Sequence, residues 1–306
     1  MPELPDVVVY LERLEALLVG RRLAELRVAS PFLVRSVAPH PSEAAGRRLV
    51  GLRRIGKRLI FEWEKDPGER DPLFWVLHLM VAGRLKLGKR RAGPLPARIG
   101  LAAFDFEHLT VFLTEASKKR RASLAAVWGA EALAAFDPGG IEPLDVDFAA
   151  FSAALTARNH TLKRALTDPR ILSGIGNAYS DEILWEARLS PVTWTSRLTS
   201  EELVRLYEAT VSTLTRWTAV LRSEAGEGFP EKVTAFREDM AVHGRYGQPC
   251  RRCGGRVMRI RYADNETNYC PTCQTGGRPL ADRGLSRLLG KDWPKTMEEL
   301  EERLRA

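Results

Sequence analysis

Apolar residues recur near the start of the chain at helical spacing. Val7, Tyr10, Leu11, Leu14, Leu17 and Leu18 line one face from Asp6 onward, and Gly20 can end that helix. The period then shortens to that of strands. Runs at 22–28, 49–55, 58–64, 74–79, 84–87, 99–106 and 110–114 are β-patterned and separated by Gly, Pro and charged turns. One helix followed by a block of strands predicts a β-sandwich or barrel rather than alternating βαβ units. Around Asp137-Pro138-Gly139-Gly140 the pattern breaks, and the segment to Asp145 reads as a linker. Helical periods resume at 148–156, 161–166, 178–188 and 200–221, with a Gly-rich stretch at 223–230 expected to be a mobile loop and a charged helix at 295–305. The expected fold class is therefore α+β and multidomain.

The four cysteines change that picture by adding a metal. All of them lie in two pairs, Cys250-x-x-Cys253 and Cys270-x-x-Cys273, sixteen residues apart. Each pair puts two sulfurs on one tight knuckle, and two knuckles complete a tetrahedron. Gly254-Gly255 supplies the turn, and 256–262 with 267–269 reads as a small hairpin. One structural Zn2+ held by Cys250, Cys253, Cys270 and Cys273 is the expectation, with no position left for water; free thiols are the alternative. Arginines at 251, 252, 256, 259 and 261 suggest phosphate contact by this finger. Glu266 works against that, because it repels phosphate unless the finger docks differently or recruits Arg259 or Arg261.

Charge points the same way. Among 306 residues, 47 Lys and Arg against 39 Asp and Glu give a net charge of +8, which favours a polyanionic partner. No apolar run approaches the roughly 20 residues that span a bilayer, and the start lacks the basic-then-apolar order of a signal peptide. A cytoplasmic protein without a membrane partner is expected, and nothing in the sequence calls for an oligomer, so a monomer is expected too.

The amino terminus carries candidate chemistry. Removal of Met1 would leave Pro2 as a secondary amine. An unperturbed α-amino group titrates near 8, well below lysine, so more of it is neutral and nucleophilic at pH 7. Attack on a sugar aldehyde carbon would give an iminium, an electron sink for elimination of the adjacent phosphate, and Glu3 could shuttle protons. A Met-Pro-Glu start alone carries little. At Ser173-Gly174-Ile175-Gly176-Asn177, two glycines allow close backbone approach, and Asn177 opens a helix whose positive end can hold a phosphate. A plain loop with a polar cap is the alternative there.

These features come with five ordered motifs: PELPDVVVYLERLE at the start, GKRLIF at 56–61, HLMVAGRL at 78–85, GIGNAYSDEILWEARLSP at 174–191 and HGRYGQPCRRC at 243–253. With the second cysteine pair they closely resemble the formamidopyrimidine-DNA glycosylase/endonuclease VIII family over roughly residues 1–275, as an atypical branch. The resemblance implies an N-terminal helix-capped β-sandwich at 1–137, a helix–two-turn–helix domain at 147–236 and a zinc finger at 240–278, with 279–306 as an extension. It implies a bifunctional DNA glycosylase and abasic-site lyase acting on damaged DNA. A lesion-binding protein with weak or lost catalysis is the alternative.

Roles carried over by the resemblance are Pro2 as Schiff-base nucleophile, Glu3 as acid/base and Lys57 as a phosphate-contacting catalytic lysine. Asp6 stands where the family often has Glu. Asn177 is implied in phosphate contact, with Lys163 lining the same path. Met80 and Val81 fall in the loop that fills the gap left by a flipped nucleotide. Arg120 and Arg121 lie in a second loop that keeps its basic run but not the family's order, and Arg259 and Arg261 complete the DNA-facing set.

Overall fold

The computed structural model describes residues 1–90, 93–231, 233–234, 236–262, 265–281 and 290–305. The chain divides into two compact units: 1–138 with 217–234, and 139–216 with 235–306.

In the first unit, α1 (Leu4–Leu18) precedes eight strands: β1 (Leu23–Val28), β2 (Leu49–Ile55), β3 (Arg58–Trp63), β4 (Leu73–His78), β5 (Gly83–Lys89), β6 (Gly100–Phe106), β7 (Leu109–Glu115) and β8 (Ser123–Trp128). They form two antiparallel four-stranded sheets, ordered β1-β6-β7-β5 and β2-β3-β4-β8. The sandwich is the expected one, with one strand more than the pattern predicts. β8 escapes because its Ser-Leu-Ala-Ala-Val-Trp run has no alternation; pairing with β4, from Leu73↔Trp128 to His78↔Ser123, makes it a strand. A short α2 (Gly129–Ala134) closes this block.

Aromatic side chains fill the sandwich. Trp63 packs on Trp75 at 4.8 Å and on Phe106 at 6.2 Å, and Trp75 packs on Phe104 at 5.2 Å, so the two sheets interlock through large rings. The Trp75 indole N–H donates to the Pro41 carbonyl at 3.0 Å, which satisfies its one polar atom in the core. α1 adds Val7, Tyr10, Leu14 and Leu18 to the same core. The helix starts two residues before the periodic signal because Pro5 fits a first turn, where its missing N–H costs nothing.

The second unit holds α3 (Phe148–Thr156), α4 (Leu162–Thr167), α5 (Asn177–Glu186) and most of α6 (Ser200–Ala225), whose residues from Trp217 belong to the first unit. The finger follows as β9 (Met258–Arg261), β10 (Glu266–Tyr269) and a single turn, α7 (Pro271–Gln274). The last element is α8 (Met297–Arg305). Among the described residues no helix is long and apolar enough to cross a membrane.

The finger hairpin has two unlike faces. Met258, Ile260 and Tyr269 share one of them and are covered by Leu280, Met297 and Leu300 of the extension. The Leu280 N–H donates to the Tyr269 hydroxyl at 2.6 Å. Arg259, Arg261, Glu266 and Asn268 occupy the other face. The extension thus has a structural job that its sequence does not announce: it buries the apolar side of the hairpin. Leu300→Ala should lower the unfolding free energy by about 2 kcal/mol, the low end for leucine truncation because the site is near the chain end. Urea denaturation followed by circular dichroism measures this.

Candidate active site and nucleic-acid interface

In the first unit the start of α1 sets the geometry. The backbone N–H of Glu3 donates to Asp6 Oδ2 at 2.9 Å, closing the first turn from its own residues. Pro2 is buried, and Glu3 is only 2% exposed. The terminal amine, carried by Met1 in this chain, titrates below its ordinary value. Burial is the main cause; Arg84 and Lys57 add to it, and Glu3 and Asp6 oppose it. Lys57 is likewise lowered by burial against the charge of Glu3. Amine, Glu3, Asp6, Lys57 and Arg84 therefore share one electrostatic neighbourhood. Lys57 reaches it from the tight turn between β2 and β3, where Gly56 takes φ +59°. His78, at the end of β4, is pushed down to about 4 by burial and by Arg58 and Lys57, so its imidazole is neutral at pH 7.

A cavity of about 470 Å³ opens beside this cluster, lined by Asp6, Val9, Leu221, Glu224, Phe229 and Val233 among others. The segment over it is held by the Phe229 ring, 5.4 Å from that of Tyr10, and by Arg84 Nε donating to the Val233 carbonyl at 2.6 Å. Arg222 grips Glu12 through Nε and Nη2 at 2.5–3.0 Å, and Arg13 donates to the Glu227 carbonyl. The expected loop at 223–230 is thus tied to α1, and α6 runs into it as far as Ala225.

Two further loops carry predicted residues. Between β4 and β5 the Gly83 N–H closes a turn on the Leu79 carbonyl at 2.9 Å, and a Cβ at Gly83 would lie 2.2 Å from that oxygen. Within the turn Met80 takes φ +52°, a left-handed backbone that costs a non-glycine residue about 1 kcal/mol, and Val81 is 56% exposed. Arg84 Nη1 donates to the Val81 carbonyl, so the turn is linked to the amine cluster. After β7, the buried carboxylate of Glu115 accepts the N–H groups of Arg121 and Ala122 at 3.0–3.1 Å. This staple leaves Lys118, Lys119, Arg120 and Arg121 exposed on the loop it closes.

The second unit is organised by Asp181 on α5, which is fully buried. Oδ1 takes the Lys163 ammonium at 2.5 Å, and Oδ2 meets His243 Nδ1 at 2.8 Å and the Asn268 N–H at 3.1 Å. Lys163 also donates to the Asn177 carbonyl at 2.7 Å, so its charge is committed inside the fold. The neighbouring Glu182 accepts three N–H groups, from Ala241, Val242 and His243. Asn177 Nδ2 donates to the Glu266 carbonyl at 2.9 Å, and Arg259 Nη1 donates to Glu266 Oε2 at 3.1 Å. The predicted Asn177, Lys163 and Arg259 are therefore gathered at the start of α5, while Arg261 is exposed on the hairpin. Asp181, Glu182, His243, Glu115 and Arg84 are the residues that pattern reading missed; buried acids in a helix otherwise read as core were the available signal for the first two.

The four cysteine sulfurs lie within 4.8 Å of one another. Tetrahedral bonds of about 2.3 Å place sulfurs about 3.8 Å apart, so the cluster fits one metal ion. The Cys250 sulfur also accepts the Trp185 indole N–H at 3.2 Å, and Arg252 lies 3.8 Å over that indole. The finger is joined to α5 through these contacts.

Comparisons with known proteins agree with this architecture. Residues 1–122 match the formamidopyrimidine-DNA glycosylase N-terminal domain, residues 140–226 its H2TH domain, and residues 247–276 the zinc finger found in FPG and IleRS. A formamidopyrimidine-DNA glycosylase of Corynebacterium aurimucosum is 32% identical over 291 residues, covering 90% of this chain and 97% of its own. A formamidopyrimidine-DNA glycosylase-like protein of Mycobacterium tuberculosis is 43% identical over 150 residues, 49% of this chain and 93% of its own. The fold matches Lactococcus lactis Fpg bound to DNA containing an abasic site, with a TM-score of 0.77, 24% identity and coverage of 89% and 99%.

Asp6 yields a test of the amine cluster. Burial, reinforced by Glu3, pushes its carboxyl up to about 7, against an ordinary value near 3.9. An acid raised on folding contributes stability that is full below about pH 4 and is lost as pH climbs through 7. Asp6→Asn keeps an acceptor for the Glu3 N–H but cannot ionise. Its unfolding free energy relative to the unaltered protein should therefore improve by about 2–3 kcal/mol between pH 5 and pH 8. Urea midpoints at the two pH values check it.

Proposed function

The chain belongs to the formamidopyrimidine-DNA glycosylase family, and from that premise we propose that it excises damaged bases from DNA and then cleaves at the abasic site, using the amine of Pro2. The observation that carries this reading is the placement of Pro2: it is buried beside Glu3, in the electrostatic neighbourhood of Lys57, where burial lowers the basicity of the Met1 amine one residue upstream. Lowered basicity favours the unprotonated form of an amine, which is the nucleophile the chemistry needs.

The Pro2 nitrogen attacks C1′ of the deoxyribose, the damaged base leaves with the glycosidic electron pair, and the proton that the nitrogen sheds is taken up by the departing base. Glu3 protonates the ring oxygen, so the sugar opens and the nitrogen lone pair forms an iminium. That cation accepts electrons as a C2′ proton is removed and the C3′–O bond breaks, expelling phosphate. A second elimination can expel the 5′ phosphate, and water releases the amine. Lys57 contributes a cation for the phosphate beside the reacting sugar.

DNA contact is assigned to both units. Val81, exposed, and Met80, half-buried beside it, offer an apolar wedge on a tight turn, suited to the space left by a flipped nucleotide. Arg120 and Arg121 serve phosphates from their stapled loop. The cavity beside Asp6 is of the size that holds a small ligand and suits the everted base. At the start of α5, Asn177 and Arg259 face phosphate, with Lys163 acting by fixing Asn177, and Arg261 does so from the hairpin. A zinc ion held by Cys250, Cys253, Cys270 and Cys273 supplies structure to the finger and no chemical step.

The reading demands a free Pro2. Protein lacking Met1 should nick a duplex with one abasic site, and protein carrying extra residues before Pro2 should lose at least about 100-fold in rate while binding the same duplex equally well. Equal nicking by both forms would overturn the mechanism and leave a DNA-binding protein whose chemistry lies elsewhere.

A further inference from the structure

The polar face of the finger hairpin is neutralised from within. Both oxygens of the Glu266 carboxylate are held there: Oε2 by Arg259 Nη1 and Oε1 by Asn268 Nδ2, each at 3.1 Å. The guanidinium is also fixed from its flat side, 4.1 Å from the Tyr246 ring. Asn268 is anchored in turn, since its Oδ1 accepts the Gly244 N–H at 2.8 Å and its own N–H binds Asp181. Asn177, the first residue of α5, donates its side-chain N–H to the carbonyl of Glu266. A cation and an amide N–H thus converge on one anion at the positive end of a ten-residue helix.

A carboxylate and a phosphate present alike paired oxygens to a guanidinium. We propose that Glu266 is an internal stand-in for a DNA phosphate, which must give up Arg259 before the finger can engage the backbone. This rests on the DNA-binding part of the function proposed above. Arg259 and Glu266 are 30% and 29% exposed, so phosphate can reach the pair, and a partly exposed ion pair is weak enough to exchange. The arrangement is a brake on backbone affinity and not a block. It ties down the guanidinium that lies nearest the Tyr246 ring, at 4.1 Å.

The brake is measured by binding, apart from catalysis. The full-length, zinc-loaded protein is titrated with a duplex containing a tetrahydrofuran abasic analogue between 0.05 and about 0.3 M salt. Glu266→Gln keeps the size and an acceptor for Arg259 but removes the charge. It should bind about threefold to tenfold tighter near 0.15 M salt, with a steeper salt dependence because one more phosphate contact forms. Arg259→Gln should weaken binding, and adding Glu266→Gln to it should restore little, since the released partner is gone. Glu266→Ala should follow Glu266→Gln, and zinc content and melting temperature confirm that each variant is folded. Unchanged or weaker binding by Glu266→Gln would overturn the proposal and make Glu266 a support that aims Arg259. An unaltered protein that fails to bind the duplex at all would overturn the DNA-binding reading itself.

Discussion

A chain terminus is the least constrained part of a protein, and terminal chemistry requires that freedom to be removed. Here the constraint is the hydrogen bond from the Glu3 N–H to Asp6, which closes the first turn of α1 upon itself. Because α1 then sends Val7, Tyr10, Leu14 and Leu18 into the aromatic core, the position of the terminus is inherited from the packing of the whole sandwich. The aspartate is one methylene shorter than glutamate, so its carboxyl stays close to the turn it caps and is buried there. That burial raises its pKa and leaves one acidic wall on the cavity. Lys57 and Arg84 arrive from different turns of the same sandwich, and their charges further depress the basicity of the amine.

The second unit solves a related problem with a buried ion. Asp181 is costly to bury, and it persists because Lys163, His243 and the Asn268 N–H all satisfy it. One carboxylate thereby ties α4, α5, the loop before the finger and the hairpin together. Glu182 repeats the device with three backbone N–H groups. The polar ends of Asn177 and Arg259 are aimed by this frame, while the extension covers the opposite face of the hairpin.

The legible parts of this molecule were those with a short-range period or a fixed spacing. The helix from Asp6, most strands, the hairpin and the paired cysteines all follow from neighbours in sequence. β8 did not, because an Ala-rich run becomes a strand only through its pairing with β4. Glu115 carries no short-range signal, yet its carboxylate folds back onto two N–H groups six and seven residues on. Lys163 reads as a basic residue beside a phosphate site, but only the fold reveals that Asp181 already holds it. For the extension, composition gave charge, whereas its contribution rests on Leu280, Met297 and Leu300 meeting a surface eleven to forty-two residues earlier. Long-range partners of buried polar groups are what pattern reading lacks.

The central claim is that the amine of Pro2, freed by removal of Met1, is the group that meets the sugar. Borohydride reduction during reaction with an abasic duplex, followed by proteolysis and mass mapping of the linked peptide, tests it without reliance on any variant. The account predicts one reduced adduct, on the peptide that begins at Pro2 and through its α-nitrogen. An adduct on Lys57 or another lysine, with the terminal peptide unmodified, would contradict it.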